Sequence, residues 1–303
     1  VSYNDQSPDP EFRRHYGMAY YRTTFTVPEG ARRVLRFDAV THNAVVRLNG
    51  QEIASHRGGF LPFEADITAL AQPGETVTLD VEVDNRIGHS SLPVGNEGGT
   101  AFFGSDNAGI PAVEAGKARQ QAQGINLPNF DFFNYAGITR PVHLYTTPAA
   151  YIRDVTVAAD MTGTLRYTVD TVGEGSVKVE ILDAEGCVVA CTVQVENARL
   201  WQPRPGTPYL YTALVKFGKD EYRQKFGFRS VEVSGHKFLI NGAPFYFKGP
   251  CKHEDSAFRG RGYDACVTVT DLKLYEWLNA NCLRMSHYPY AEEVYDLCDR
   301  LGI

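Results

Sequence analysis

The chain has 303 residues, 43% hydrophobic and 22% charged, with a formal net charge of −6. That length leaves room for two or three domains with a sizeable core. The acidic balance excludes a nucleic-acid binder held by phosphate contacts, and no run of about 18 apolar residues is present to cross a membrane as a helix.

The N-terminal stretch VSYNDQSPDPEF is polar and lacks the pattern of a signal peptide. Residues 20 to 149 read as all-β. In TVTLDVEVDN, Val77, Leu79, Val81 and Val83 share one face and Thr78, Asp80, Glu82 and Asp84 the other, the period of a half-buried strand. NAVVRLNGQEIASH supplies two runs joined by Asn49-Gly50, a strong hairpin signal. HRGGFLPFEADIT reads as structural, with a turn at Gly58-Gly59 and with Phe60 and Phe63 in the core. Short strands joined by tight turns predict a sandwich or jelly roll over residues 1–149. Between about Ser90 and Asn129 no period is sustained, and a loop of that length in a compact domain is functional or disordered.

Residues 150–232 predict a second, smaller β-domain. VKVEIL alternates, DAEG turns and CVVA returns, and PYLYTALVKFGKDEYRQKFGF folds back around Gly218-Lys219-Asp220. Some 80 residues of short strands fit an immunoglobulin-like sandwich, without the Cys…Trp…Cys spacing of antibody domains.

Over 233–303 the period changes. FYFKGP (245–250) predicts a strand, Asp271–Asn279 a helix and NCLRMS a second strand. In SHYPYAEEVYDLCDRLGI, Val294, Leu297, Cys298 and Leu301 form the apolar stripe of a terminal helix, with Gly302 at its αL stop and Ile303 reading as the start of another strand. This is the opening of a parallel α/β structure, two units of an eight-fold (β/α) barrel, and it predicts a portion of a longer protein. Cys187, Cys191, Cys251, Cys266, Cys282 and Cys298 show no metal-finger spacing and read as free, buried thiols, Cys282 in a strand and Cys298 in a helix core. Together with the absence of a glycosylation sequon they favour a reducing, cytosolic setting.

Barrel side chains at strand C-terminal ends point into the active site. Two places qualify: KHEDSAFRGRGYD, with His253, Glu254 and Asp255 adjacent, and Arg284-Met285-Ser286-His287-Tyr288-Pro289. His253 and His287 lie on different strands and no third ligand is evident, so neutral, hydrogen-bonding histidines are expected and no metal is called for. For His287, packing at the helix entry ahead of Pro289 stays open. Glu254–Asp255 and Glu292–Glu293 invite a reading as the paired carboxylates of a glycosidase. Chain neighbours point apart, however, and Glu292 and Glu293 suit the first turn of a helix. Arg284 in an apolar strand predicts a buried guanidinium with an acidic partner. Asp131 stands among Phe130, Phe132, Phe133 and Tyr135, a carboxylate beside aromatic faces that suits sugar binding or caps its own loop.

Several stretches carry a resemblance. RFDAVTHNAVVRLNGQEIASHRGGFLPFEADIT resembles the sugar-binding domain of glycoside hydrolase family 2. DFFNYAGITRPVHLYTTP, NARLWQP, FLINGAPFYFKG, KHED with the following GRG, and NANCLRMSHYPYAEE resemble its β-glucuronidase branch. The resemblance implies a multidomain, mostly β architecture: a jelly-roll sugar-binding domain, an immunoglobulin-like β-sandwich and the first two βα units of a (β/α)8 TIM barrel. It implies retaining hydrolysis of β-glucuronides by two glutamates of later barrel strands, outside these residues, so that no catalytic residue is assigned here. Asp131 and His253 are implied to bind sugar hydroxyls, with Arg284 and His287 shaping the site. No cofactor is implied; a homo-oligomer, dimer or tetramer, is. Met285 departs from the small polar residue the pattern calls for. A non-catalytic carbohydrate-binding or assembly module, or a family 2 hydrolase of β-galactosides or β-galacturonides, are the alternative readings.

Overall fold

The computed structural model describes residues 2–3, 9–13, 15–86 and 134–303. The chain divides into two compact units. The first comprises Val1–Thr146, His253–Ala265 and Met285–Ala291, and the second Thr147–Lys252, Cys266–Arg284 and Glu292–Ile303.

The first unit contains β1 (Ser2–Tyr3), α1 (Pro10–Arg13), β2 (Met18–Thr26), β3 (Arg32–Phe37), β4 (Val40–Thr41), β5 (Asn43–Leu48), β6 (Gln51–Arg57), β7 (Phe63–Asp66), β8 (Thr76–Asp84), β9 (Ala136–Ile138) and β10 (Val142–Thr147). They form sheets ordered β2-β8-β5-β6, β10-β3-β7 and β1-β9-β4. Strand β8 buries Val77, Leu79, Val81 and Val83 and turns its polar set the other way, as its alternation predicts. Register follows from that pattern: Val81 pairs with Val46 of β5 on one side and Tyr21 of β2 on the other. A one-residue slip would bring the charged set inward. The β5–β6 hairpin turns through Asn49 and Gly50, both at positive φ (49° and 83°), the conformation that Asn-Gly supplies. Phe37, Leu35, Ala65 and Ile67 complete a core shared between the two larger sheets. Phe63 stacks on Phe37 at 4.9 Å and on His56 at 4.5 Å.

The second unit holds two further sheets, β11 (Tyr151–Ala159) with β12 (Leu165–Val172), and β14-β13-β15-β16, formed by β13 (Val177–Leu182), β14 (Val188–Ala190), β15 (Tyr211–Phe217) and β16 (Asp220–Phe226). Leu165 meets Ile181, Ala213, Tyr211, Phe226 and Phe228 between them, the core of a small sandwich. The β15–β16 hairpin turns at Gly218, as predicted. Then follow β17 (Val231–Ser234), β18 (Lys237–Ile240) and β19 (Ala243–Pro244) as one sheet, β20 (Cys251–Lys252), α2 (Ala265–Trp277), β21 (Arg284–Met285) and α3 (Glu292–Leu301).

Several sequence expectations need correction here. FYFKGP is extended but not a strand. Asn281 N–H donates to the Lys248 carbonyl (2.8 Å), but the return bond from Lys248 N–H goes to the Asn281 side-chain oxygen (2.7 Å), so a side chain replaces the ladder. Cys282 lies outside any strand for the same reason. The six cysteines are free, but Cys187, Cys191, Cys251 and Cys266 are exposed, and Cys298 alone is buried. Ile303 follows the end of α3. Its N–H bonds the Cys298 carbonyl at 3.0 Å beyond Gly302 (φ 73°), closing a Schellman stop.

Helix α3 has further partners for its C-terminal carbonyls. Trp201, 4% exposed, donates from Nε1 to the Asp299 carbonyl at 2.7 Å, and Arg204 N–H donates to the Gly302 carbonyl at 2.9 Å. Arg229 lies 4.6 Å over the Trp201 ring and reaches the Asp299 carboxylate at 3.2 Å. Helix ends leave carbonyls that must find partners, and here the strand-rich part of the second unit supplies them.

Two expectations follow. Trp201→Phe keeps the packed ring but orphans the Asp299 carbonyl, so urea unfolding should show a loss of about 1–2 kcal/mol with an unchanged m-value. Burial pushes the His56 imidazole below its ordinary value. The unfolded chain therefore takes up this proton first, and stability should fall as pH drops below about 6.5. Urea midpoints measured between neutral and mildly acidic pH should show that slope, reduced in His56→Phe.

Candidate functional site

The loop that follows β20 carries His253, Glu254 and Asp255, and the segment after β21 carries Ser286 to Ala291. Neither has much regular structure, so side chains fix their paths. Glu254 is the centre. Its Oε2 accepts a bond from Arg140 Nη2 at 2.8 Å and its Oε1 accepts one from Ala291 N–H at 2.7 Å. Arg140 also donates to the Phe60 carbonyl (2.9 Å) and the Pro289 carbonyl (2.7 Å). The two side chains are 6% and 10% exposed. A charge pair this buried persists because its remaining donors and acceptors are also satisfied. Both carboxylate oxygens of Glu254 are thereby engaged.

Tyr288 is the second anchor. Its hydroxyl accepts the Glu254 N–H at 3.0 Å and lies 3.4 Å from His253 Nδ1. Its ring stacks on Phe60 at 4.6 Å and on Tyr290 at 5.4 Å. The Arg261 guanidinium, 3% exposed, sits 4.5 Å from the Tyr288 ring and 5.2 Å from Phe60, a cation over aromatic faces in a dry setting. Burial pushes the phenols of Tyr288 and Tyr290 up, which keeps both neutral.

His253 and His287 come together, ring centroids 5.6 Å apart and edge to face. His253 is half-buried and His287 exposed, so His287 does not serve as packing at the helix entry. Arg284 is also exposed, with Nη1 3.7 Å from Cys251 Sγ. The buried guanidinium expected there is not formed, because β21 is two residues long and presents Arg284 outward. Asp131 lies outside the described residues. Description resumes at Asn134, whose Oδ1 is 2.6 Å from His42 Nε2. Tyr135 and Thr139 pack against the loop after His253. A Cβ at Gly260 (φ 54°) would come within 2.4 Å of the Tyr135 ring, and Tyr263 N–H donates to the Thr139 carbonyl at 2.8 Å. Among the described residues no cluster of three metal-ligating side chains occurs.

Sequence reading passed over Arg140, Arg261 and Tyr288. The rule applied to Arg284, that a guanidinium among apolar neighbours demands an acid, fits Arg140 in GITRPVHL better. No local pattern marks Tyr288, whose role depends on residues distant in sequence.

Profiles of one family match the chain from end to end. The sugar binding domain of glycosyl hydrolases family 2 matches residues 1–148, a second family 2 domain residues 150–229, and the family 2 TIM barrel domain residues 231–303. The chain belongs to glycosyl hydrolases family 2. It is 42% identical over 324 residues to a β-glucuronidase of Paenibacillus borealis, matching all of this chain and 51% of that protein. Among solved structures it resembles a Faecalibacterium prausnitzii β-glucuronidase at 57% identity and a TM-score of 0.90, covering 100% of this chain and 52% of that one. It also resembles a Bifidobacterium dentium β-glucuronidase complexed with coumarin-3-O-glucuronide, at 50% identity and a TM-score of 0.87, covering 100% of this chain and 54% of that one. The chain thus spans about half the length of these relatives.

Glu254→Gln keeps the shape but leaves the Arg140 charge buried without a counter-ion. It should cost about 3–5 kcal/mol by chemical denaturation, far more than any exposed carboxylate-to-amide change such as Glu52→Gln. Gly260→Ala should cost about 1–3 kcal/mol, since it needs both an unfavourable φ and movement of Tyr135.

Proposed function

We propose that the whole protein carrying this chain is a retaining β-glucuronidase, which releases β-D-glucuronic acid from its conjugates. The observation that carries the reading is identity of 57% along the whole chain with a solved β-glucuronidase, supported by the ligand-bound Bifidobacterium relative. Retention requires an acid/base and a nucleophilic carboxylate about 5–5.5 Å apart. The one buried carboxylate in the loop bearing His253, that of Glu254, already holds Arg140. The reacting pair is therefore assigned to barrel strands outside these residues, and this chain supplies scaffold and sugar contacts.

In that division His253 bonds sugar hydroxyls, Asp131 accepts hydroxyl protons, and His287 and Arg284 shape the rim. The adjacency of His253 and His287 and the packing of Tyr135 by Gly260 support this placement. Such contacts hold the glycosyl ring before and during attack, so their loss weakens substrate binding as well as turnover. By resemblance to the family, the whole protein is a homo-oligomer, dimer or tetramer, which light scattering on the purified protein would measure.

The test is turnover. The whole protein should hydrolyse 4-nitrophenyl β-D-glucuronide with a kcat/KM at least about 100-fold above that for the β-D-galactoside, because a site that binds a carboxylate leaves polar groups unpaired without it. The isolated 303-residue chain should hydrolyse neither. Equal rates on glucuronide and galactoside, or robust activity of the isolated chain, would overturn the reading.

A further inference from the structure

We propose that Tyr288 is a positioning residue for the sugar site: its hydroxyl holds His253 in the tautomer protonated at Nε2, and the Arg140–Glu254 pair holds Tyr288 in place. The inference rests on the glucuronide reading for its kinetic consequence, but its structural part stands on geometry alone.

Among the described residues, the hydroxyl of Tyr288 has two hydrogen-bonding neighbours. It accepts the Glu254 backbone N–H at 3.0 Å, so that direction is taken. Its own proton needs an acceptor, and His253 Nδ1 stands at 3.4 Å. If Nδ1 carried the imidazole proton, two donors would face one oxygen and the phenol proton would point away from its nearest acceptor. A part-buried hydroxyl left in that state forgoes a bond that the other tautomer lets it make. With Nδ1 bare, each group is satisfied, and the ring proton lies on Nε2. That nitrogen then offers a donor to a sugar hydroxyl oxygen or ring substituent.

What fixes the tyrosine is equally specific. The ring stacks on Phe60 and on Tyr290, and the Arg261 guanidinium lies 4.5 Å from its centre. The donor to its hydroxyl is the backbone of Glu254, whose carboxylate is bound to Arg140 and to Ala291 N–H. Arg140 also holds the carbonyls of Phe60 and Pro289, the residue after Tyr288. The chain of contacts therefore runs from Arg140 through Glu254 and Tyr288 to His253, and each link is a hydrogen bond within one compact unit.

The experiment is a two-residue cycle on the whole protein with Tyr288→Phe and His253→Ala. Phenylalanine preserves the stack and removes the hydroxyl that accepts the Glu254 N–H, so the melting temperature should fall by no more than a few degrees. Tyr288→Phe should raise KM for 4-nitrophenyl β-glucuronide about fivefold with kcat changed by less than about twofold, the mark of lost binding common to ground and transition states. The double variant should be no worse than His253→Ala, because the tyrosine acts through that histidine. Multiplicative effects, or an unchanged KM in Tyr288→Phe, overturn the proposal. Imidazole 15N shifts give a readout independent of turnover. His253, assigned by its absence in His253→Ala, should show an unprotonated Nδ1 that changes towards a mixed state in Tyr288→Phe. A protonated Nδ1 in the parent overturns the proposal even if the glucuronide activity is found. Absence of glucuronide turnover in the parent overturns the functional reading and leaves the shifts to decide the tautomer.

Discussion

The pair formed by Arg140 and Glu254 is the interaction on which the candidate site depends. Taking a guanidinium and a carboxylate out of water costs several kcal/mol per ion, and their attraction offsets this only where every other donor and acceptor is matched. Here two backbone carbonyls and one backbone N–H complete the set. The partners come from residues near 60, 140, 254 and 290, so the pair forms only when four distant parts of the chain are in register. Bridging loops with a buried charge pair adds little net stability over an apolar substitute, but it makes misplaced loops expensive. That asymmetry favours one arrangement of these loops over its neighbours.

Around the pair lies an aromatic stack that controls its dielectric surroundings. Phe60, Tyr288 and Tyr290 exclude water from the Arg140 side, and Arg261 places a second cation over the ring faces. Neutral phenols follow from the same burial. A neutral Tyr288 can accept one bond and donate one, whereas a phenolate could only accept. The apolar stack and the polar relay to His253 are thus one device. The stack fixes where the hydroxyl lies, and its proton gives it a second bond.

Much of the scaffold was legible in the sequence because its signals are local. The alternation of β8, the Asn49-Gly50 turn and the stripe of α3 ending at Gly302 each follow from a few adjacent residues. Helix α2 was only half legible. Its first turns, CVTVT, read as β-branched, yet Thr270 turns its hydroxyl back to the Cys266 carbonyl at 2.8 Å and burial of Leu272 and Tyr275 settles the helix. FYFKGP failed in the opposite sense. A strand composition is overridden by Asn281, which supplies a side-chain oxygen where a backbone carbonyl would continue the ladder. His253 was marked by its polar neighbours at a strand end. Arg140 and Tyr288 were not, since what makes them important lies 114 and 34 residues away in the chain, at Glu254.

That separation has a consequence for how the site acquires its order. The segments His253–Ala265 and Met285–Ala291 carry little hydrogen-bonded structure of their own beyond a bridge between Ser256 and Gly260. Loop closure over more than a hundred residues must precede the contacts that reward it. The segments carrying Arg140 and Phe60 supply the cation that Glu254 binds and the ring on which Tyr288 stacks. His253 stands at the far end of these contacts, reached from Arg140 through Glu254 and Tyr288.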